Sequence, residues 1–124
     1  MPKKIKITAG QIQVEAKLND CPTAKAIAGA LAIKAKAQLW GGEIYFSIPV
    51  EAELEQDARE VLQPGELGYW PTGNAFCIFF GPTPASRGDE IRAASAVNII
   101  GRVKGDLSQL WNVPDGADIT IEAT

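Results

Sequence analysis

Six consecutive uncharged residues, Ala75-Phe76-Cys77-Ile78-Phe79-Phe80, lie in the segment PGELGYWPTGNAFCIFFGPTP with turn formers on both sides. A run of this kind, bounded by Gly and Pro, predicts a fully buried strand. Immediately before it, Tyr69 and Trp70 stand between Gly68 and Pro71, where a strand gives way to a turn. Large rings with a polar handle are costly at a loop unless they pack or bind, so the pair predicts a groove beside a sheet.

Periodicity supplies the remaining elements. Ile5 and Ile7 alternate with Lys4, Lys6 and Thr8, and after Ala9-Gly10 the alternation resumes through Ile12, Val14, Ala16 and Leu18, which predicts an opening hairpin. The short basic run at Lys3, Lys4 and Lys6 reads as the solvated start of an edge strand. A helix is expected over residues 22–33, with Asp20 or Thr23 as its cap, Pro22 in its first turn, and Ala24, Ile27, Ala28 and Leu31 on one stripe. A second hairpin turns at Trp40-Gly41-Gly42-Glu43, with Ile44, Phe46 and Ile48 on one face and Tyr45 and Ser47 on the other. Residues 51–65 read as an acidic connecting loop, long enough to suggest a binding contribution. A strand over 67–70 and a turn over 71–74 lead into the buried strand, and residues 85–94 read as a polar loop. A strand over 95–103, a short helix capped by Asp106 and carrying Leu107, Leu110 and Trp111, and a last strand over 119–121 complete the chain. Its 124 residues fit one domain, 1–124.

The residues exclude several function classes. A net charge of −3 argues against a phosphate-tracking surface, so no nucleic-acid partner is expected. No apolar stretch approaches a membrane span, and Cys21 and Cys77 without a secretory leader do not form a disulfide framework, so a cytoplasmic location and no membrane partner are expected. The chain contains no His. That removes Ser-His-Asp and Cys-His nucleophiles and any His-ligated metal site. Gly41-Gly42 lacks the downstream Lys of a phosphate cradle, so neither a cofactor nor a metal is expected.

Four segments carry a resemblance to a known family: Trp40-Gly41-Gly42-Glu43-Ile44-Tyr45-Phe46, Gly68-Tyr69-Trp70-Pro71, Cys77-Ile78-Phe79-Phe80-Gly81-Pro82-Thr83-Pro84 and Ala94-Ser95-Ala96-Val97-Asn98-Ile99-Ile100-Gly101. In this order the chain resembles the small prokaryotic cyclophilin-like proteins, whose function is uncharacterised. The resemblance implies a mostly β fold, a closed eight-stranded cyclophilin-like barrel with one main helix and one short helix covering its ends. Cyclophilins catalyse prolyl isomerisation with an Arg that follows a Phe-His pair on a barrel strand. If Tyr45-Phe46-Ser47 takes those positions, Ser47 stands in place of the Arg, and a neutral hydroxyl does not replace a guanidinium fork. Arg59, Arg87, Arg92 and Arg102 remain, all expected on loops or strand ends as solvated charges.

The expected site is therefore a binding groove formed by Glu43, Tyr45, Tyr69, Trp70, Cys77, Ser95 and Asn98, taking a short peptide or a small apolar ligand. Asn98 is the single polar side chain in an apolar strand and must find a partner if buried. Cys77, in an apolar strand with no basic neighbour, reads as a small hydrophobe rather than a nucleophile. The alternatives are a diverged prolyl isomerase, a small enzyme using Glu43 or Cys77, and an interaction protein that forms a homodimer through Trp40 or Trp111.

Overall fold

The computed structural model describes residues 3–124; Met1 and Pro2 lie outside the described residues. Ten strands and one helix follow in the order β1 (Lys3–Ala9), β2 (Ile12–Leu18), α1 (Pro22–Ala30), β3 (Ile33–Lys36), β4 (Gln38–Leu39), β5 (Glu43–Ser47), β6 (Arg59–Leu62), β7 (Glu66–Trp70), β8 (Ala75–Phe79), β9 (Ile91–Lys104) and β10 (Asp118–Ala123). Short 3₁₀ turns occupy Pro71–Gly73 and Ser108–Asn112.

The expected closed eight-stranded barrel is corrected to an open antiparallel sheet of ten strands. The hydrogen-bonded path runs β3-β10-β1-β2-β9-β7-β8-β5-β4, with β6 paired to β9 beside it. Closure would require β3 to pair with β4, but only Ala37 separates them, fewer residues than the tightest common hairpin turn. The Ala37 backbone is engaged elsewhere, its N–H donating to the Ala117 carbonyl (2.8 Å) and its carbonyl accepting from Gly116 (2.7 Å).

The alternation of β1 and β2 is as expected, with Ile5, Ile7, Val14, Ala16 and Leu18 buried. β1 is not an edge strand, however, because it lies between β10 and β2. The helix ends three residues earlier than periodicity suggests, where Leu31 returns to extended backbone. Its cap is Cys21, whose Sγ accepts from the Ala24 amide (3.4 Å), and Pro22 occupies the first turn. The acidic loop contains β6, and the polar loop ends at Ile91, where the fourteen-residue β9 begins. Asp106 accepts from the Ser108 amide (2.9 Å) at the entry of the later 3₁₀ turn. Trp111 packs edge-on against Phe80 while remaining 56% exposed. Among the described residues no helix is long and apolar enough to cross a membrane.

Two apolar clusters lie on opposite faces of β8. Phe76 and Ile78 join the larger one with Ile44, Phe46, Leu67, Tyr69 and the apolar faces of β1, β2 and β10. Ala75, Cys77 and Phe79 join the smaller one with Leu62, Ile91, Ala93 and Val97. All five residues of β8 are therefore buried, as its sequence requires. The smaller cluster exists because β9 outreaches the main sheet: its first half pairs with β6, while its second half lies between β7 and β2. The first half thus covers the outer face of β7 and β8. Gly68 permits that approach, since a Cβ there would lie 2.8 Å from Val97 Cγ2 and 3.0 Å from Phe79 Cε2.

Candidate functional site

A cleft of about 250 Å³ opens on this outer face, lined by Trp40, Glu43, Tyr45, Trp70, Ala93, Ala94 and Val97. Strand alternation places its floor. Glu43 and Tyr45 project from β5 to the side opposite Ile44 and Phe46, next to Phe79 and Cys77 of β8. The tight turn before β5 is held by reciprocal bonds between the Trp40 and Glu43 backbones (2.9 and 3.2 Å). It is docked on the loop after β8, where the Gly42 carbonyl accepts from Phe80 (2.8 Å) and Gly81 (3.1 Å). A Cβ on Gly42 would fall 2.3 Å from the Gly81 carbonyl carbon, so glycine is required for this docking. Trp40 and Glu43 are thereby fixed at the mouth and floor of the same cleft.

Trp70 forms a side wall. Its indole N–H donates to Ser95 Oγ (2.6 Å), linking β7 to the overlying half of β9. Ala93 and Ala94 contribute little bulk to the cover, which leaves the cleft open. β9 is secured by its ladder to β6 and by the Thr83 hydroxyl, which donates to the Arg92 carbonyl.

Glu43 is the chemically distinctive group. It is only 6% exposed, and its carboxyl pKa is pushed up to about 7. Burial is the main cause, opposed by a hydrogen bond from the Cys77 thiol. Cys77 in turn is raised well above its ordinary range by burial first and the neighbouring carboxylate second. The thiol therefore stays protonated, its Sγ donating to the Ala75 carbonyl (3.8 Å), which removes it as a nucleophile. Among the described residues no group of three or more His, Cys, Asp or Glu side chains converges to hold a metal ion.

Of the seven residues expected at a groove, Glu43, Tyr45 and Trp70 line the cleft, Cys77 lies beneath Glu43, and Ser95 orients Trp70. Tyr69 and Asn98 are elsewhere. Tyr69 faces the larger core, its hydroxyl donating to the Val50 carbonyl (2.6 Å) and accepting from the Ala52 amide (3.2 Å). Asn98 accepts from the Glu55 amide (2.7 Å) and donates to Thr23 Oγ1 (3.0 Å) and the Glu53 carbonyl (2.9 Å), so it ties the acidic loop to the helix. Trp40, Ala93, Ala94 and Val97 were not expected there. For Trp40 the signal was its proximity to Glu43 across Gly41-Gly42; for the others it was the run of small residues ahead of Asn98.

None of the remaining arginine candidates lines the cleft. Arg59 pairs with the buried Glu66 carboxylate (2.7 Å), and Arg92 with Glu90 (3.1 Å) and Glu60 (3.4 Å), while Arg87 and Arg102 are exposed. Ser47 is also exposed, its hydroxyl donating to the Gly73 carbonyl (3.1 Å).

Comparison with known proteins extends over nearly the whole chain. Residues 3–122 match a family described as cyclophilin-like. The solution structure of a hypothetical protein from Archaeoglobus fulgidus is similar at a TM-score of 0.85 and 40% identity, covering 99% of this chain and 95% of that one. No curated protein matches.

Proposed function

The chain belongs to the cyclophilin-like family, and from that premise we propose that it binds a small ligand in the cleft above Glu43, without efficient prolyl isomerase activity. The observation that carries this reading is a desolvated carboxyl at the floor of an apolar, aromatic-walled cleft. Burying an ionisable group costs stability, so such a group in a cleft is where function is expected. At about 250 Å³ the cleft is smaller than a drug-sized site, which favours a compact molecule or a single side chain of a peptide.

Family membership does not by itself bring a reaction. Isomerisation must lower an amide barrier of about 18 to 20 kcal/mol, and among the described residues no guanidinium lines this cleft to polarise the amide. The one enzymatic reading with an observation behind it is acid–base chemistry at Glu43, whose pKa near 7 suits proton transfer at neutral pH.

The test combines NMR titration of the labelled protein against a library of small fragments with a protease-coupled isomerisation assay on Xaa-Pro peptides. Shifts should concentrate on the Trp40 and Trp70 indole signals and the amides of Glu43 and Tyr45, with no acceleration of isomerisation. Shifts confined to another surface would refute the binding reading, and robust isomerisation would refute its second half.

A further inference from the structure

The composition of the cleft narrows the class of ligand. Its ring-bearing walls are Trp40, Tyr45 and Trp70, and among the described residues that line it Glu43 is the one carboxylate and none is Lys or Arg. Aromatic faces carry negative potential, and a carboxylate carries a full negative charge. An anion would be repelled by both, and a neutral ligand would leave the ionised Glu43 without a counter-charge. Buried charges in proteins are normally paired, yet among the described residues no Lys or Arg forms an ion pair with Glu43.

The surrounding elements offer no internal substitute. β8 presents the protonated Cys77 thiol, and the cover from β9 presents Ala93, Ala94 and Val97. Arg92, next in sequence to Ala93, is held by Glu90 and Glu60. The Trp70 wall is already positioned by its bond to Ser95, and a Cβ on Gly73 would lie 3.0 Å from Trp70 Cε3, so this ring needs little reorganisation to receive a ligand.

We propose that the cleft selects an organic cation, a compact alkylated ammonium whose charge sits against Glu43 and whose alkyl groups sit among Trp40, Tyr45 and Trp70. This rests on the cleft being the ligand site, and it specifies the chemistry that site recognises. No bond is made or broken; recognition combines charge pairing with cation–π attraction in a partly desolvated space.

The experiment uses the full chain at pH 8 and three probes of similar shape: choline, its neutral analogue with carbon in place of the quaternary nitrogen, and an anionic analogue bearing a carboxylate. Binding is read by tryptophan fluorescence and by NMR shifts at the cleft residues. Choline should bind at least about tenfold more tightly than the neutral analogue, with the anion weakest. Glu43→Gln should abolish that preference, bringing choline and the neutral analogue to similar affinity. Equal or tighter binding of the neutral analogue to the wild-type protein would overturn the cation assignment and leave the cleft as the ligand site. Failure of all three probes to perturb the cleft residues would overturn both.

Discussion

Glu43 and Cys77 influence each other across adjacent strands one pair out of register: Tyr45 is the residue opposite Cys77, and Glu43 is opposite Phe79. The carboxyl thus reaches the thiol diagonally along the outer face of the sheet. The carboxylate makes the thiol harder to ionise, the thiol partly offsets the upward shift of the carboxyl, and burial raises both. The pair explains how an acidic side chain is retained on a face that otherwise packs Phe79, Val97 and Ala93.

The first consequence is a stability that depends on pH. The Glu43 pKa lies near 7 when folded against an ordinary value of 4.5, so between those limits the folded protein holds a proton that the unfolded chain has released. Stability contributed by this group is therefore greatest below the lower limit, declines as pH rises, and is lost above about 7. The full change is on the order of 3 kcal/mol. Glu43→Gln should remove this dependence, making the variant more stable than wild type at pH 8 and close to it at pH 4. Urea denaturation at both pH values measures the difference; parallel pH profiles for the two proteins would show that Glu43 is not desolvated as described.

The two cysteines should differ in reactivity. Cys77 is buried and its pKa is raised well above the ordinary range, whereas Cys21 is only partly buried, with its Sγ capping α1. Treatment of the native protein with iodoacetamide should label Cys21 alone, and unfolding in guanidinium should expose both. Intact-mass and peptide mass spectrometry distinguish the sites. Labelling of Cys77 in the native state at a rate matching Cys21 would contradict the burial of the thiol beneath Glu43.

The close approach of β9 to the sheet depends on Gly68. Gly68→Ala places a methyl against Val97 and Phe79 at distances that demand movement of the overlying strand. A cost of about 1–3 kcal/mol is expected, together with altered Trp70 fluorescence as its bond to Ser95 is strained. Chemical denaturation monitored at the tryptophans reads both. An unchanged midpoint and spectrum would mean that β9 yields freely at this position.

Much of this arrangement was legible in the residues, and the gaps have physical causes. The buried strand followed from six uncharged residues between turn formers, and the outward placement of Tyr45 followed from alternation along β5. Alternation also separates Tyr69 from Trp70: adjacent residues on β7 point to opposite faces, so only Trp70 reaches the cleft. β6 was hidden because Arg59, Glu60 and Val61 are exposed and only Leu62 is buried, which leaves no apolar stripe to read. Without β6 the first residues of β9 had no visible pairing partner, so Ala93 and Ala94 read as loop. Barrel closure was inferred from the number of strands beside few helices and from resemblance, and strand pairing at Ala37 is a relationship between distant segments that local pattern does not encode.

Asn98 provides the sharpest separation of structural from binding roles. Its side chain makes three hydrogen bonds, to the Glu55 amide, Thr23 Oγ1 and the Glu53 carbonyl, all within a buried or partly buried setting. Glu55 returns the connection by accepting from the Thr23 amide at 3.0 Å, so the acidic loop, the first turn of α1 and β9 form one polar network. Asn98→Ala removes a partner from each of these groups without supplying water access, and a loss of about 2–4 kcal/mol is expected. Asn98→Asp keeps an acceptor for the Glu55 amide but sets a carboxylate against the Glu53 carbonyl and beside the Glu55 side chain, so it should destabilise at least as much at neutral pH. Neither change touches the cleft lining, and ligand affinity measured at a temperature where both variants remain folded should equal that of wild type, whereas Trp70→Ala should weaken it. Thermal unfolding and titration on the same samples decide the matter: weakened binding with unchanged stability in Asn98→Ala would return Asn98 to the binding groove.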